Sequence, residues 1–341
     1  MLPGDPQGGA GLDGAMQALL SRAGQGARFI LTSHVHPDGD GIGSEIALAL
    51  LLAELGCDVR VINADPAPPA LEALEGIERI EIYDPARHDE RIGSADVIVM
   101  LDNSDPARLG PMEPAVRASG AHRACIDHHP HPSPFWDALI LDQTACCTGS
   151  LVHRMWQLAG RRPDAVAASA LYAALVSDTG RFRFANAGPA AFRLAGDLVE
   201  AGARPAELYT RLEEQAGEGF LRLLGETIAA MELRAGGRIV ILRVTAAALA
   251  RHRIGHEDTA EIINAALMLR TSRVAALFRE LDPHRTKVSL RSKGALAVND
   301  LARAMGGGGH RNAAGIVLEE PLERAVEHVA AQLARLVGEV G

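Results

Sequence analysis

The first half of the chain alternates short apolar segments with longer segments of helical periodicity, and this alternation restricts the fold more than any other feature. The intervening pattern predicts helices at 42–55, 69–75, 144–159 and 164–177, and the apolar segments predict strands at 28–33, 58–62, 79–82, 96–101 and 122–126. Strands that alternate with helices form mainly parallel sheets, which are buried by helices on both faces. We therefore predict an α/β fold whose N-terminal domain is a mainly parallel sheet covered by helices on both faces.

The pattern changes after the segment 185–205, which is rich in Ala, Gly and Pro and is predicted to contain a linker or a linking helix. Downstream, we predict helices at 205–232, 259–269, 297–304 and 321–337, and strands at 238–244, 273–281, 286–291 and 314–318. These elements predict a smaller C-terminal α/β domain, with a cleft between the two domains. The predicted organisation is a flexible leader with a first helix at 1–27, a first domain at 28–187, a linker at 188–205 and a second domain at 206–341.

Composition excludes several classes of protein. The 341 residues carry a formal net charge of −9, whereas proteins that track long duplex nucleic acid depend on basic charge. The chain contains no apolar run long enough for a membrane span, and its start does not resemble a signal peptide. The four cysteines form no C-x-x-C pair, which is typical of reduced cysteines in the cytosol. We therefore predict a cytoplasmic protein without a membrane partner.

Acidic and histidine side chains follow four apolar segments of the first domain. They are His34, Asp38 and Asp40 after 28–33, Asp102 after 96–101, Asp127, His128 and His129 after 122–126, and Asp178 after 171–176. Ligands bind an open parallel sheet beyond the carboxyl ends of its strands, so these groups are predicted to meet in one crevice. One Asp after a strand is most often a turn residue or a helix N-cap, but four such groups together favour a site.

The mixture of carboxylates and imidazoles indicates the kind of ion that this crevice would bind. Such a mixture suits Mn²⁺, Zn²⁺, Fe²⁺ or Co²⁺ better than Ca²⁺. Acids gathered in one crevice repel one another, and two ions about 3.5–4 Å apart that share one carboxylate would relieve this repulsion. The residues therefore predict a two-metal site.

Five motifs of the chain resemble those of a known family. They are H-V-H-P-D-G-D-G-I-G-S at 34–44, D-N-S-D at 102–105, D-H-H at 127–129, S-D-T-G-R-F-R at 177–183 and G-G-G-G-H-R-N-A-A-G at 306–315. The first four resemble the motifs of DHH phosphoesterases, and the fifth resembles the signature of the DHH-associated C-terminal domain. The resemblance extends from about 28 to 320, and within the family the chain is similar to the bifunctional nano-RNase (oligoribonuclease)/pAp phosphatases.

The resemblance implies a role for each matched residue. It implies that His34 and Asp38 hold a first metal, that Asp40, His128 and Asp178 hold a second, and that Asp102 bridges the two. Asp127 is implied to orient a neighbouring ligand, and His129 to face the scissile phosphate as a hydrogen-bond or proton donor. An alternative for His129 is a purely structural role. The implied cofactors are two divalent ions, with Mn²⁺ expected.

The glycine run at 306–309 suggests a phosphate site in the second domain. Successive glycine N–H groups form nests that bind phosphate, although a bare glycine run is usually a flexible loop. The candidate substrate-binding residues are Gly307, Gly308, Gly309 and His310, joined by Ser289, Arg291 and Ser292 from the preceding strand and by Arg183 after the fourth motif. Arg291 can bind phosphate in bidentate fashion, and Arg183 can equally form a surface salt bridge.

These observations lead to a functional hypothesis. The chain is expected to be a hydrolase, acting as both phosphodiesterase and phosphomonoesterase on oligoribonucleotides of about two to five nucleotides and on 3′-phosphoadenosine 5′-phosphate (pAp). The alternatives are a cyclic-di-AMP or linear dinucleotide phosphodiesterase, a RecJ-like exonuclease, a family II pyrophosphatase and a non-catalytic nucleotide-binding regulator. The sequence leaves a homodimer open.

Overall fold

A computed structural model describes residues 9–130, 132–255, 259 and 262–339 of the protein. The chain divides into two compact units, Met1–Gln215 and Ala216–Gly341. Each unit is built on its own six-stranded sheet, which confirms the predicted α/β class with a second, smaller domain. Over the described ranges, no helix combines the length and the apolar character that crossing a membrane requires.

The sheet of the first unit is entirely parallel. Its strands are β1 (Arg28–Thr32), β2 (Asp58–Asn63), β3 (Ile80–Ile82), β4 (Val97–Leu101), β5 (His122–Asp127) and β6 (Ala138–Leu141). Their order is β3-β2-β1-β4-β5-β6, and every neighbouring pair is parallel. The strand order therefore reverses between β1 and β4, and in open parallel sheets ligands bind at such a point, beyond the carboxyl ends of the strands.

Helices cover both faces of this sheet. They are α1 (Gly9–Leu20), α2 (Gly39–Glu54), α3 (Pro85–Gly93), α4 (Glu113–Ala118), α5 (Thr148–Leu158), α6 (Ala165–Asp178), α7 (Pro189–Glu200) and α8 (Pro205–Leu212). Alternate residues of β1 enter two different cores, since Phe29 and Leu31 pack with α2, α5 and α6 while Ile30 packs with α3 and α4. The apolar run of β1 is thus buried on both sides, as a central parallel strand requires.

Helices α2 and α6 pack closely because a glycine lies between them. A Cβ atom at Gly43 would lie 2.2 Å from the carbonyl oxygen of Ala170, so no larger residue fits without moving one helix. At the N-terminus of α2, a Cβ atom at Gly39 would lie 2.7 Å from the Cβ atom of Ser177 in α6. This packing brings the beginning of α2, after Asp38, next to the end of α6, at Asp178.

The second unit contains a mixed sheet. Its strands are β7 (Glu232–Arg234), β8 (Ile239–Val244), β9 (Val274–Asp282), β10 (Arg285–Ser292), β11 (Gly308–His310) and β12 (Ala313–Leu318), and its helices are α9 (Glu218–Ala229), α10 (Ala246–His252), α11 (Ile262–Ala266), α12 (Asn299–Ala304) and α13 (Leu322–Glu339). The order is β11-β12-β10-β9-β8-β7, with β8 and β9 parallel and the other pairs antiparallel.

The two faces of this sheet are covered unequally. Helices α12 and α13 pack on the face that carries Val288 and Leu290 of β10, whereas α9, α10 and α11 pack on the other face against β8 and β9. On that second face, Lys287 of β10 is exposed, and Ser289 and Arg291 are half-buried. This face of β10, which we call the open face, is therefore more exposed than the face that α12 and α13 cover.

Several elements of the first unit differ from the predictions. The structure adds β6, α3 and α4, which the sequence pattern does not predict. The predicted helix at 69–75 is only a 3₁₀ turn at Pro69–Leu71, and Gly76 directly after the predicted range has a left-handed backbone with a φ of +95°.

The boundary between the two units also differs from the predicted one. The segment predicted as a linker or linking helix holds α7, and the first unit continues to Gln215. The range 205–232, where helices are predicted, contains α8 and α9, and its last residue begins β7. Part of the predicted leader is α1, and residues 1–8 lie outside the described residues.

Candidate metal centre

The first cluster of candidate ligands connects the ends of β1 and β4. His34, Asp38 and Asp102 each offer one ligand atom, and these atoms lie within 4.8 Å of one another. His34 Nε2 is 3.6 Å from Asp102 Oδ2. Asp38 is also the N-cap of α2, where its Oδ1 accepts hydrogen bonds from the N–H groups of Asp40 and Gly41. The cap fixes this carboxylate and leaves its other oxygen for an ion.

The neighbours of His34 indicate which ring nitrogen would be a ligand. Nδ1 lies 2.8 Å from the Val35 carbonyl and 2.9 Å from Arg108 Nη2, and these two contacts require opposite roles of Nδ1. Nε2 faces Asp102 and is therefore the ring nitrogen that could bind a metal ion. Nδ1 must then carry the proton and donate it to the Val35 carbonyl, to which Arg108 also donates. Burial lowers the pKa of His34, which favours the neutral ring that binds metal.

The second cluster contains Asp40, His128 and Asp178, whose ligand atoms also lie within 4.8 Å of one another. The N-terminus of α5 fixes Asp40, since Thr148 N donates to Oδ2 at 2.7 Å and Gly149 N donates to Oδ1 at 2.9 Å. These donors carry the positive end of the helix dipole, which stabilises a carboxylate.

Asp102 belongs to the first cluster and also contacts the second. Its Oδ1 lies 3.6 Å from His128 Nε2 and accepts a hydrogen bond from Thr148 Oγ1 at 2.9 Å, whereas its Oδ2 faces His34. The residue has a φ of +66°, the left-handed conformation that Asp tolerates better than most side chains. The two oxygens of Asp102 therefore point to different clusters, as a bridging carboxylate requires.

The electrostatics of both clusters fit divalent cations. Burial, followed by repulsion from neighbouring aspartates, raises the pKa of Asp40 and of Asp102 well above the usual range. His128 Nε2 is buried and has no hydrogen-bond partner among the described residues, although carboxylate oxygens lie 3.6–3.8 Å away. A cation would satisfy this nitrogen and neutralise the carboxylates, so the donor set fits metal binding.

Asp127 and His129 form a hydrogen-bonded pair beside the clusters. Asp127 Oδ1 accepts from His129 Nδ1 at 2.8 Å and from the backbone N–H groups of His128 and His129. Although burial opposes both changes, these contacts lower the pKa of Asp127 and raise the pKa of His129. The pair therefore favours an imidazolium at His129, with Nε2 as the nitrogen that would donate a proton.

The glycine run of the second unit has a different conformation from the predicted nest. Gly306 N and Gly307 N donate to the carbonyls of Arg303 and Ala302 at the end of α12, so these two donors are used within the protein. Gly308 and Gly309 belong to β11 and pair with β12. His310 is part of the same strand, and its side chain lies outside the described residues. A nest of four exposed N–H groups is therefore absent from this run.

The other predicted phosphate contacts differ among themselves. Ser292 is buried, and its hydroxyl donates to the Leu296 carbonyl at 2.5 Å and accepts from Asn312, so its hydroxyl is engaged within the protein. Ser289 and Arg291 lie on the open face of β10. Arg183 is exposed and donates from Nε to the Gly180 carbonyl, which leaves its terminal guanidinium nitrogens for other partners.

Some residues that shape the centre are not among those that the sequence predicts for the site. Asn186 donates to Asp178 Oδ2 at 2.9 Å and to the carbonyls of Asp178 and Cys146. Beneath β1, Glu45 accepts from Asn63, whose side-chain oxygen accepts from Ser33 N. The sequence does place Asn186 close after the fourth motif and Glu45 inside an apolar helix, but no local pattern predicts their hydrogen-bond partners.

Comparison with known proteins identifies the family. Residues 28–177 match the DHH family, N-terminal domain, and residues 236–338 match the DHHA1 domain. A bifunctional oligoribonuclease and PAP phosphatase from Thermus thermophilus is 32% identical over 325 residues, which cover 93% of this chain and 94% of that protein. The chain belongs to the DHH family. The predicted resemblance is thus confirmed, and this DHH protein is a metal-dependent phosphoesterase.

Two further relatives support the assignment. A bifunctional oligoribonuclease and PAP phosphatase from Bacillus subtilis is 26% identical over 84% of this DHH protein and 88% of its own length. An exopolyphosphatase-related protein from Bacteroides fragilis has the same fold, with a TM-score of 0.90 and 27% identity over 94% of this chain and 96% of that one. The likeness therefore extends across both units of the DHH protein.

Proposed function

We propose that this DHH phosphoesterase hydrolyses oligoribonucleotides of about two to five nucleotides to nucleoside 5′-monophosphates, and pAp to AMP and phosphate. The observation that carries the proposal is the pair of clusters that meet at Asp102, in a chain similar over nearly its whole length to a bifunctional oligoribonuclease and PAP phosphatase. One centre serves both reactions, because each breaks the bond between phosphorus and a 3′-oxygen.

In this proposal the chain holds two divalent ions, with Mn²⁺ expected. The first ion would be held by His34, Asp38 and Asp102, and the second by Asp40, Asp102, His128 and Asp178. The ligand atoms of the first three residues lie within 4.8 Å of one another, as do those of Asp40, His128 and Asp178, and Asp102 Oδ1 is 3.6 Å from His128 Nε2. When bound, the ions would supply positive charge that stabilises the phosphoryl group during hydrolysis. Asp127 and Asn186 would keep their neighbours oriented through the hydrogen bonds described above.

His129 is proposed as the proton donor to the leaving 3′-oxygen. A water attacks phosphorus in line, the bond to the 3′-oxygen breaks, and His129 Nε2 gives that oxygen its proton. Asp127 holds the opposite nitrogen and stabilises the protonated ring. A phosphorylated diadenylate (pApA) then yields two AMP molecules, and pAp yields AMP and phosphate.

The second unit is proposed to bind the 5′-phosphate of the substrate. The open face of its sheet carries Lys287, Ser289 and Arg291 of β10, with the glycine strand β11 at the edge of the sheet. Arginine and lysine supply the charge that a phosphate needs, and glycine allows close approach of the backbone. Arg183 of the first unit, with His310 and the backbone of Gly307, Gly308 and Gly309, remains a candidate contact for the substrate.

The test is turnover by metal-stripped protein, with and without added Mn²⁺. Its substrates are pApA, pAp, cyclic-di-AMP and an oligoribonucleotide of about 24 nucleotides. The proposal expects Mn²⁺-dependent release of AMP from pApA and pAp, with little product from the other two. Preferred hydrolysis of cyclic-di-AMP would instead assign the protein to signalling phosphodiesterases. Processive degradation of the long strand would assign it to RecJ-like exonucleases, and no turnover of any substrate would favour a nucleotide-binding regulator.

A further inference from the structure

The turn that follows Asp178 has a strained backbone. Helix α6 ends at Asp178, and Gly180, Arg181 and Phe182 have φ values of +54°, +60° and +62°. For residues with a side chain this left-handed conformation is strained, and it persists only where the surroundings impose it. Arg181 and Phe182 are two such residues in succession, shortly after the candidate metal ligand Asp178. The contacts around the turn must therefore impose its conformation.

Contacts from three directions hold the turn in place. The Arg181 guanidinium is paired with Glu213, and the Phe182 ring stacks on Phe192 with a centroid distance of 5.0 Å. Thr179 accepts at its hydroxyl from Phe182 N and at its carbonyl from the N–H groups of Arg183 and Phe184. The turn is therefore fixed independently of any ligand.

The turn presents the ring of Phe184 at the surface, six residues after the candidate metal ligand Asp178. Phe184 is 56% exposed, and among the described residues its ring has no aromatic partner. The ring lies over Gly180, where an added Cβ atom would come within 2.4 Å of it. Two residues later, Asn186 bonds directly to the Asp178 carboxylate. Phe184 therefore lies between two contacts of this turn: its ring covers Gly180, and Asn186 holds the Asp178 carboxylate.

We propose that Phe184 is a stacking platform for the base of the nucleoside on the 3′ side of the scissile phosphate. The inference rests on the proposed function and specifies how the centre distinguishes its two substrates. Both pApA and pAp bring a phosphate to the ions, but only pApA continues into a second nucleoside. An exposed ring on a fixed turn that follows a ligand of the metal centre matches the flat face of that second base.

The size of the effect follows from the energy of base stacking. Removal of an aromatic platform lowers affinity by about tenfold to a hundredfold for each stacked base. Stacking is equally present in the ground state and in the transition state, so the loss falls on KM rather than kcat. The loss should affect pApA strongly and pAp much less, because pAp has no base at this position.

The experiment compares three variants of the full chain on three substrates. Phe184→Ala removes the platform, Phe184→Trp retains it, and Tyr209→Ala removes another exposed aromatic ring as a matched control. The substrates are pApA, pAp and an analogue of pApA whose second ribose carries no base. Circular dichroism and thermal unfolding show whether each variant is folded.

The expected result is a selective loss. Phe184→Ala raises KM for pApA by about tenfold or more relative to its effect on pAp, whereas Phe184→Trp and Tyr209→Ala resemble the wild type. For the wild type, KM on the base-free analogue should exceed KM on pApA by the same factor. For Phe184→Ala, KM should be nearly the same on the two substrates, as expected in a double-mutant cycle when the ring and the base interact with each other. Equal losses on pApA and pAp, or an unchanged KM in Phe184→Ala, overturn the inference while the function stands. Failure of the wild type to hydrolyse either substrate overturns the function instead.

Discussion

Glu45 is a carboxyl group with no exposed surface in α2, and Glu45→Gln tests the cost of ionising it. Burial raises the pKa of Glu45 from 4.5 to about 8, against the opposing effect of the hydrogen bond from Asn63. Because the folded-state pKa is raised, the stability contributed by this group is fully present below pH 4.5 and is lost as the pH rises towards 8. The difference between 8 and 4.5, at ~1.36 kcal/mol per pH unit, corresponds to about 5 kcal/mol.

Tryptophan fluorescence during urea unfolding is a suitable assay for this effect. The chain contains two tryptophans, Trp136 and Trp156, and both are buried in the unit that contains Glu45. With a chelator present throughout, raising the pH from about 5.5 to about 7.5 should lower the free energy of unfolding of the wild type by about 3 kcal/mol relative to Glu45→Gln.

The control is Glu54→Gln, which removes an exposed carboxylate near the end of the same helix. Its unfolding free energy should follow that of the wild type at every pH. If Glu45→Gln also follows the wild type across this pH range, Glu45 ionises in the folded protein without the predicted cost, and the reasoning is refuted.

Three further predictions concern the metal centre. Asp102→Asn should reduce bound Mn²⁺, measured by elemental analysis, from about two ions per chain to less than one. As a control, His36→Ala should retain both ions, because the His36 side chain is exposed and lies beside Asp65. Asn186→Ala should weaken Mn²⁺ binding by about tenfold to a hundredfold in calorimetric titrations, since it frees the Asp178 carboxylate to rotate; unchanged affinity would exclude this role. His129→Gln should slow hydrolysis of pApA by about 10²–10⁴-fold but slow a p-nitrophenyl phosphodiester far less, because nitrophenolate leaves without a proton. Equal slowing of both substrates would contradict the proton-donor role.

The sequence predicts the convergence of the candidate ligands well, for a simple physical reason. The carboxyl ends of parallel strands share one edge of the sheet, so residues that directly follow β1, β4 and β5 must lie close together. His34, Asp102 and His128 are such residues, and the structure brings them within a few ångströms of one another. Asp178 is different, because it ends a helix, and its position depends on the close packing of α2 and α6 at Gly43.

Other features depend on contacts that local patterns do not encode. β6 is only four residues long and lies at the sheet edge, where pairing with β5 decides its conformation. The glycine run at 306–309 resembles a phosphate nest because the sequence does not show that α12 ends there and uses the N–H groups of Gly306 and Gly307. Ser292 looks like a surface hydroxyl in an alternating strand, yet its neighbours Leu296 and Asn312 bury and bond it.

The backbone conformation of Asp102 limits which residues evolution or a protein engineer can place there. At a φ of +66°, only glycine, asparagine and aspartate are accommodated readily. Glycine has no ligand atom, and asparagine lacks the negative charge and one of the two oxygens. Glutamate, the usual conservative exchange, has the charge but would be strained at this φ and would extend one methylene too far between His34 and His128. Aspartate is therefore the residue that meets both requirements at position 102: it tolerates the backbone conformation, and it supplies two charged ligand oxygens at the right reach.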